Sequence, residues 1–214
     1  MGWQYTPYLI VLGASGLLAS AVAPVAWHHR DREGAVPLAV LMAAVTWWTL
    51  ANAVGVAHTD LSGKRLAYRV MYLGVAVVPV AWIGFTVEYT GARVGRRDRL
   101  LGVAGIVPAL TVPIALTNVR HGLLWREVWL VKDGPLVAMG VAYGPWFWVF
   151  TLVAYLLLAA GTLLLVRLVV LGEHVYRRQA AALLVAVLAP WAANAVYLAD
   201  LTPPGIDPTP VGFA

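Results

Sequence analysis

Apolar residues in this chain are gathered into six long runs with almost no charge, and short polar segments separate the runs. A helix needs about 20 such residues to cross the hydrocarbon core of a bilayer, and the runs are close to that length. They are continuously apolar, whereas the strands of a membrane β-barrel alternate apolar and polar residues. The pattern therefore predicts an all-α integral membrane protein, a single domain over 1–214 built as a bundle of six transmembrane helices. The predicted spans cover about 8–27, 36–57, 70–89, 100–117, 146–167 and 179–199.

A further apolar segment begins at the end of the chain. The sixth run is followed by the proline-containing stretch "DLTPPGIDPTP", after which "PVGFA" at 210–214 is apolar again. We expect a seventh helix to start at 210 and to be truncated at Ala214. On this interpretation the natural reading frame continues through a complete span of about 20 residues.

The charged residues agree with a membrane protein and indicate its partners. Charged residues make up 12% of the chain, about half the share in soluble domains. The net charge of +5 comes from basic residues in short loops, which predicts contact with lipid headgroups and no nucleic-acid partner. The chain has no cysteine, which excludes disulfides and thiolate metal sites.

The distribution of basic residues predicts the orientation. Nine of the 15 Lys and Arg residues lie in the loops after the first, third and fifth helices. The positive-inside rule then places the N-terminus outside the cell and these three loops in the cytoplasm. The long 118–145 segment is predicted to lie outside, where residues alternate around "KDG" as in a small β-hairpin. We expect a multi-pass protein of the cell membrane.

Several motifs occur together in a characteristic order. They are "WWTLANA", "PVAWIGFTVEYTG", "TNVRHGLLW", "YGPWFW", "YRRQAAALLVAVLAPWAANAVYL" and "GIDPTPVGFA". As an ordered set covering nearly the whole chain, they resemble the N-terminal seven-transmembrane sensor region of membrane histidine kinases, particularly the archaeal type. The resemblance implies a sensor of an extracellular or membrane-borne signal in a two-component system. It also implies a kinase core downstream, through which a homodimer could form.

The chain itself carries no catalytic motif, since it has neither a phosphoacceptor-histidine box nor a glycine-rich ATP lid. Two alternatives to a sensor are a small transporter or channel and a stand-alone membrane partner subunit. Transporters usually carry charges or broken helices at the midplane and internal repeats. We find no midplane charge and no convincing repeat in these residues, so the sensor interpretation is favoured.

No cofactor or metal site is predicted. A retinal Schiff base needs a lysine within a helix, and both lysines, Lys64 and Lys132, fall in predicted loops. Haem would need facing histidines within the spans, whereas all five histidines fall in loops or at helix ends. His58, Asp60 and His121 share the outer side, but their spacing specifies no metal geometry.

Two asparagines lie within predicted spans. Asn52 and Asn194 each sit about 8 Å below the outer end of a helix, and each has an aromatic residue on the same helix face, Trp48 and Trp191. An amide in hydrocarbon requires a partner. Interhelical hydrogen bonding is the ordinary role for such groups, and contact with a ligand is the alternative.

The outer third of the bundle is therefore the candidate site. A pocket there would combine apolar walls with a few polar groups, as small-ligand sites do, and its ligand would be small and largely uncharged. The candidate ligand-binding residues are Trp48, Asn52, Asn118, His121, Trp125, Trp146, Trp191 and Asn194.

Three further residues are candidates for coupling between helices. Glu88 and Arg167 end the third and fifth spans at matching inner depth, so we expect them to approach within one interhelical contact. Pro190 interrupts the hydrogen-bond ladder of the sixth helix and frees a carbonyl near the level of Asn194.

Overall fold

The fold is a helical bundle with one small sheet. The structure is a computed structural model, and it describes residues 2–92, 97–133, 136–171, 174–199, 201 and 209–212. The side chains of residues 97, 98, 133, 174–180, 186, 187, 191, 210 and 211 lie outside the description.

The described part of the chain has six helical segments long and apolar enough to cross a membrane, as the hydrophobic pattern predicts. The third segment, 61–89, is divided between two helices. The helices are α1 (Pro7–His28), α2 (Ala35–Ala57), α3 (Leu61–Val75), α4 (Val77–Tyr89), α5 (Arg97–Thr117), α6 (Pro145–Leu171), α7 (His174–Leu198) and the short α8 (Thr209–Gly212).

The third span is longer than predicted. Its helix begins at Leu61 instead of 70, because Asp60 caps the first turn and accepts a hydrogen bond from the Gly63 amide at 2.8 Å. The charged residues of 61–69 end an apolar run but do not prevent a helix. The division into α3 and α4 falls at Ala76, where Pro79 cannot donate to the carbonyl four residues earlier.

The helices of the fifth and sixth spans also extend beyond their predicted bounds, because polar residues continue the helix where the apolar run ends. Helix α6 continues to Leu171, and α7 begins at His174 instead of 179. Arg and Gln, which interrupt the apolar count in "HVYRRQ", are good helix formers. Counting uncharged residues therefore locates the membrane core of each helix, and the helix itself extends further.

The third span lies at the centre of the bundle. In its most apolar stretch 67% of the residues are buried, compared with 7% for α7. Glycines allow its neighbours to approach closely. A Cβ at Gly74 would lie 2.5 Å from the Ala44 carbonyl oxygen of α2, and a Cβ at Gly161 of α6 would lie 2.5 Å from Trp82 Nε1 of α4. The Trp82 indole also donates to the Leu158 carbonyl at 3.1 Å.

The predicted β-hairpin is confirmed. Strands β1 (Trp125–Asp133) and β2 (Leu136–Tyr143) pair in antiparallel register, with Trp129 opposite Gly140. The side chain of Gln4 joins the hairpin to the bundle: its carbonyl accepts from the Val137 amide at 2.8 Å, and its NH₂ donates to the Val137 and Val56 carbonyls at 2.9 and 2.6 Å. The N-terminal segment, the α2–α3 turn and the hairpin thus lie at one end of the bundle, the hairpin side.

The prediction that both lysines lie in loops is wrong. Lys64 is in the first turns of α3 and is only 1% exposed, and Lys132 is in β1. The Lys64 ammonium donates to the Gly55 and Val56 carbonyls at 3.0 and 3.4 Å. A cation is favourable at the C-terminus of a helix such as α2. The two carbonyls therefore explain how Lys64 can be buried in a helix, where the hydropathy count had predicted a loop.

Helix α8 begins one residue before the predicted position and packs against α7, α1 and α2. Its contact with α7 is close, because a Cβ at Gly212 would lie 2.6 Å from Pro190 Cα. Asn194 of α7 also donates to the Thr209 hydroxyl of α8 at 2.9 Å. The polar stretch before α8 lies outside the described residues.

A candidate ligand cavity beneath the hairpin

A cavity of about 170 Å³ lies within the bundle, between α2, α3, α4, α6 and α7, and the hairpin covers one end. Helix α8 contributes Thr209 to its wall. The walls are mainly aromatic and aliphatic. Nine of the described lining residues are aromatic: Trp48, Tyr68, Tyr72, Trp125, Tyr143, Phe147, Phe150, Tyr155 and Tyr197.

The structure brings part of the candidate site together at this cavity. Four of the eight candidate ligand-binding residues line it, and so does the coupling candidate Pro190. These four are Trp48, Asn52, Trp125 and Asn194. The other four do not line it with a described side chain: Asn118, His121 and Trp146 lie elsewhere, and the side chain of Trp191 is outside the described residues.

Asn118 positions the hairpin that covers the cavity. It follows α5 in a short 3₁₀ helix and is 7% exposed. Its carbonyl oxygen accepts from the Leu124 and Trp125 amides at 2.8 and 3.2 Å, and its NH₂ donates to the Trp125 carbonyl at 2.9 Å. Asn118 therefore fixes the backbone that carries Trp125, and it acts on the cavity through that residue.

His121 and Trp146 face other surroundings. The exposed His121 ring contacts the Thr117 hydroxyl at 3.1 Å and accepts from the Leu123 amide at 3.1 Å. Trp146 Nε1 donates to the Thr111 hydroxyl at 2.9 Å, which joins α6 to α5. For Trp146, the sequence gives no direct measure of the rotation of α6 about its axis.

Asn194 is hydrogen-bonded on both sides of its amide. Its carbonyl oxygen accepts from the Tyr155 hydroxyl of α6, and its NH₂ donates to Thr209 of α8 at 2.9 Å. One side chain thus joins three helices at the cavity wall. This arrangement matches the interhelical role considered for buried amides.

Asn52 is in a different situation. It is 1% exposed, and its amide nitrogen has no hydrogen-bond partner among the residues that the structure describes. Leaving a buried donor unpaired costs about 1–3 kcal/mol. Thr49, another buried polar residue of the same helix, avoids this cost by donating to the Val45 carbonyl at 2.8 Å.

Several tyrosines of the cavity were absent from the sequence-based candidates. Tyr68 and Tyr72 are one turn apart on α3 and both line it. Tyr143 and Tyr197, whose hydroxyls lie 3.0 Å apart, join the hairpin to α7. The i, i+4 spacing of Tyr68 and Tyr72 was a usable signal, but it lay in a segment divided between a predicted loop and a predicted span.

The described lining of the cavity is uncharged. It contains no Asp, Glu, Lys, Arg or His residue. Outside it, Asp60 contacts His58 at 3.5 Å, and a hydrogen bond from the Ser62 hydroxyl, with a second from the Gly63 amide, lowers the pKa of Asp60 to about 2. Among the described residues no group of three His, Cys, Asp or Glu side chains is placed to hold a metal ion.

A described hydrogen bond of the Glu88 carboxylate is made to α2, and no ion pair with Arg167 is found in the described part of the chain. Helices α4 and α6 do pack against each other, but the Glu88 carboxylate accepts from the Gly34 amide at 2.8 Å, at the N-terminus of α2. Arg167 is exposed, and no ion pair of Arg167 occurs within the described part of the chain. A carboxylate is favourable at a helix N-terminus, which accounts for the position of Glu88.

Comparison with known proteins agrees with the architecture. A family model described as the N-terminal 7TM region of histidine kinase matches residues 11–214. Comparison with curated proteins found no match. The matched region includes all of the helices that line the cavity and the hairpin that covers it. With six helical segments long and apolar enough to cross a membrane in its described part and a match over nearly its whole length, this chain belongs to the family of N-terminal 7TM regions of histidine kinases.

Proposed function

We propose that this domain is a membrane-embedded sensor that takes up a small, largely uncharged ligand in the hairpin-covered cavity. The family describes an N-terminal region of histidine kinases and not their catalytic part. The observation that carries the proposal is the cavity itself: about 170 Å³, walled by aromatic residues and bordered by a few uncharged polar groups, which is how small-ligand sites are usually built.

The proposed signal travels through Pro190 and α8. Pro190 lines the cavity on one side and lies against Gly212 of α8 on the other. Asn194 and Thr209 add a hydrogen bond between the same two helices. A ligand that displaces the cavity wall would therefore displace α8, and the signal would pass on toward a cytoplasmic kinase.

Glu88 and Arg167 have separate roles in this proposal. Glu88 couples the inner end of α4 to α2 through the Gly34 amide. Arg167 is exposed at the end of α6, where a long basic side chain can reach headgroups. The proposed partners are the lipid bilayer, a small ligand and, through the kinase region, a second copy of the protein.

The orientation belongs to the same proposal, with the N-terminus and hairpin outside a cell membrane. A topology reporter inserted after Gly95 should then be cytoplasmic, and one inserted after Gly134 should be outside. A cytoplasmic reporter at Gly134 would contradict this orientation and would place the cavity on the wrong side for an external signal.

The sensor role is tested by filling the cavity. Ala154 of α6 lines it, whereas Ala160 of the same helix is exposed to the surroundings. In the full-length natural protein in membrane vesicles, Ala154→Phe should change the rate of histidine autophosphorylation at least threefold, and Ala160→Phe should not. Equal rates in both variants and the parent, with Ala154→Phe as thermally stable as Ala160→Phe, would refute the proposal.

A further inference from the structure

We propose that Asn52 is the polar anchor of the cavity, and that the ligand is a small uncharged molecule with a planar apolar body and one hydrogen-bond acceptor, such as a carbonyl oxygen. The inference rests on the proposed function and names the class of ligand. It also assigns Asn52 a role different from that of Asn194, although the two occupy equivalent positions in the sequence pattern.

The amide nitrogen of Asn52 is a buried donor that has no partner among the described residues. Asn52 lines the cavity, is 99% buried, and its amide nitrogen is without a partner in the described part of the chain. Asn194 lines the same cavity with both ends of its amide occupied, by Tyr155 and Thr209. A residue that only joins helices has a protein partner. Asn52 lacks one for its amide nitrogen within the residues that the structure describes, so an acceptor on a ligand in the cavity would pair this donor.

Part of the cavity wall is a cluster of aromatic rings. Tyr72 stands edge-to-face with Trp125 at 5.7 Å and with Phe150 at 6.1 Å between ring centroids. Such clusters present ring edges and faces to a planar guest, an arrangement that aromatic groups favour over direct face-to-face stacking. The body of the ligand is therefore best matched by a ring or another flat apolar group.

The volume and the lining of the cavity limit the size and the charge of the ligand. The cavity of about 170 Å³ is slightly larger than an engineered apolar cavity of about 150 Å³ that binds benzene. It has room for one ring with a small substituent. The described lining has no charged side chain, so an ionised ligand would lose its hydration without gaining a counter-charge.

A matched pair of probes isolates the hydrogen bond. Acetophenone and isopropenylbenzene have nearly the same shape and differ in a carbonyl oxygen against a methylene group. Binding of each to the purified domain in lipid nanodiscs is measured by saturation-transfer NMR, with empty nanodiscs as the reference for partition into lipid. The wild-type domain should prefer acetophenone by about tenfold in Kd, which corresponds to ~1.4 kcal/mol.

Substitution of the anchor should remove this preference. Asn52→Leu keeps the branching at Cγ and the number of side-chain heavy atoms but has no donor, and it should bring the two Kd values to within twofold of each other. Thr49→Val is the matched control: it removes another buried polar group of α2, one whose hydroxyl is paired within its own helix and which does not line the cavity. This variant should keep the preference.

Three results would overturn the inference. They are equal affinity of the wild-type domain for both probes, an unchanged preference in Asn52→Leu, and no saturable binding of either probe. The first is also the result expected if water alone pairs with Asn52. Failure of the sensor role is a separate outcome: acetophenone preference would persist in the nanodisc assay while Ala154→Phe leaves autophosphorylation unaltered.

Discussion

Removal of the Asn118 side chain should open the cover of the cavity without unfolding the bundle. Asn118→Ala deletes three hydrogen bonds, two accepted from the Leu124 and Trp125 amides and one donated to the Trp125 carbonyl. All three groups are buried, and Leu124 is fully buried, so water does not readily replace the lost partner.

The loss of local stability can be estimated from the two hydrogen bonds that the Leu124 and Trp125 amides donate. An intramolecular hydrogen bond contributes about 0.5–1.5 kcal/mol, and two such bonds contribute about 1–3 kcal/mol to the local opening free energy. Hydrogen exchange at Leu124 and Trp125 should therefore accelerate roughly 5- to 150-fold in Asn118→Ala. Exchange in the middle of α4, the central helix, should not change, since none of the three bonds reaches it.

The assay is hydrogen exchange with mass spectrometry on the domain in nanodiscs. His121→Ala is the matched control, because the exposed His121 ring also accepts a bond from this loop, at the Leu123 amide. Exposed groups exchange their partners with water at little cost, so exchange at Leu124 and Trp125 should stay within threefold. Unaltered exchange in Asn118→Ala would refute the assignment of Asn118 as the residue that positions Trp125.

Three further predictions concern packing, hydrogen bonding and pH. Gly161→Ala should cost about 1–3 kcal/mol of unfolding free energy by overpacking against Trp82, whereas Gly105→Ala, with open space at its Cβ, should not destabilise; equal denaturation midpoints for the two variants would contradict this contact. Asn194→Ala should cost about 1–2 kcal/mol in the same denaturation assay, since it removes bonds to both α6 and α8, and an unchanged midpoint would argue against the bridge. Because the pKa of Asp60 is lowered from 3.8 to about 2, its contribution to stability should be complete above pH 4 and be lost as pH falls toward 2; Asp60→Asn should reduce that acid sensitivity in thermal melts, and an identical acid profile would refute the assignment.

Sequence predicts the membrane architecture well because a bilayer penalises each buried charge separately. The six runs are long and almost free of charge, so their helices follow from the cost of an ion in hydrocarbon. The same criterion misplaces the start of the third span. Lys64 and Arg69 interrupt the apolar run, yet Asp60 caps a helix that contains both. A hydropathy count has no information about which charges find backbone partners.

For a residue in a predicted helix, the sequence indicates the depth along the helix axis better than the direction in which the side chain points. Depth follows from a rise of about 1.5 Å per residue, and it selected Asn52 and Asn194, which do line one cavity. Rotation about the helix axis depends on packing against neighbours. Trp146 was selected by depth and instead binds Thr111 of α5. The difference between the two asparagines, one paired twice and one unpaired, depends on rotation as well.

The side chain of Gln4 has a consequence for association between copies of the chain. Among the strands that the structure describes, β2 pairs with β1 alone, and unpaired strand edges are sites at which strands of other molecules add. Val137 directs both its amide and its carbonyl to that edge, and Gln4 occupies both with a single side-chain amide. Gln4 thus imitates one residue of a third strand. A second hairpin can extend the sheet at this position only by displacing it, so the edge is protected against strand exchange and aggregation where Gln4 binds.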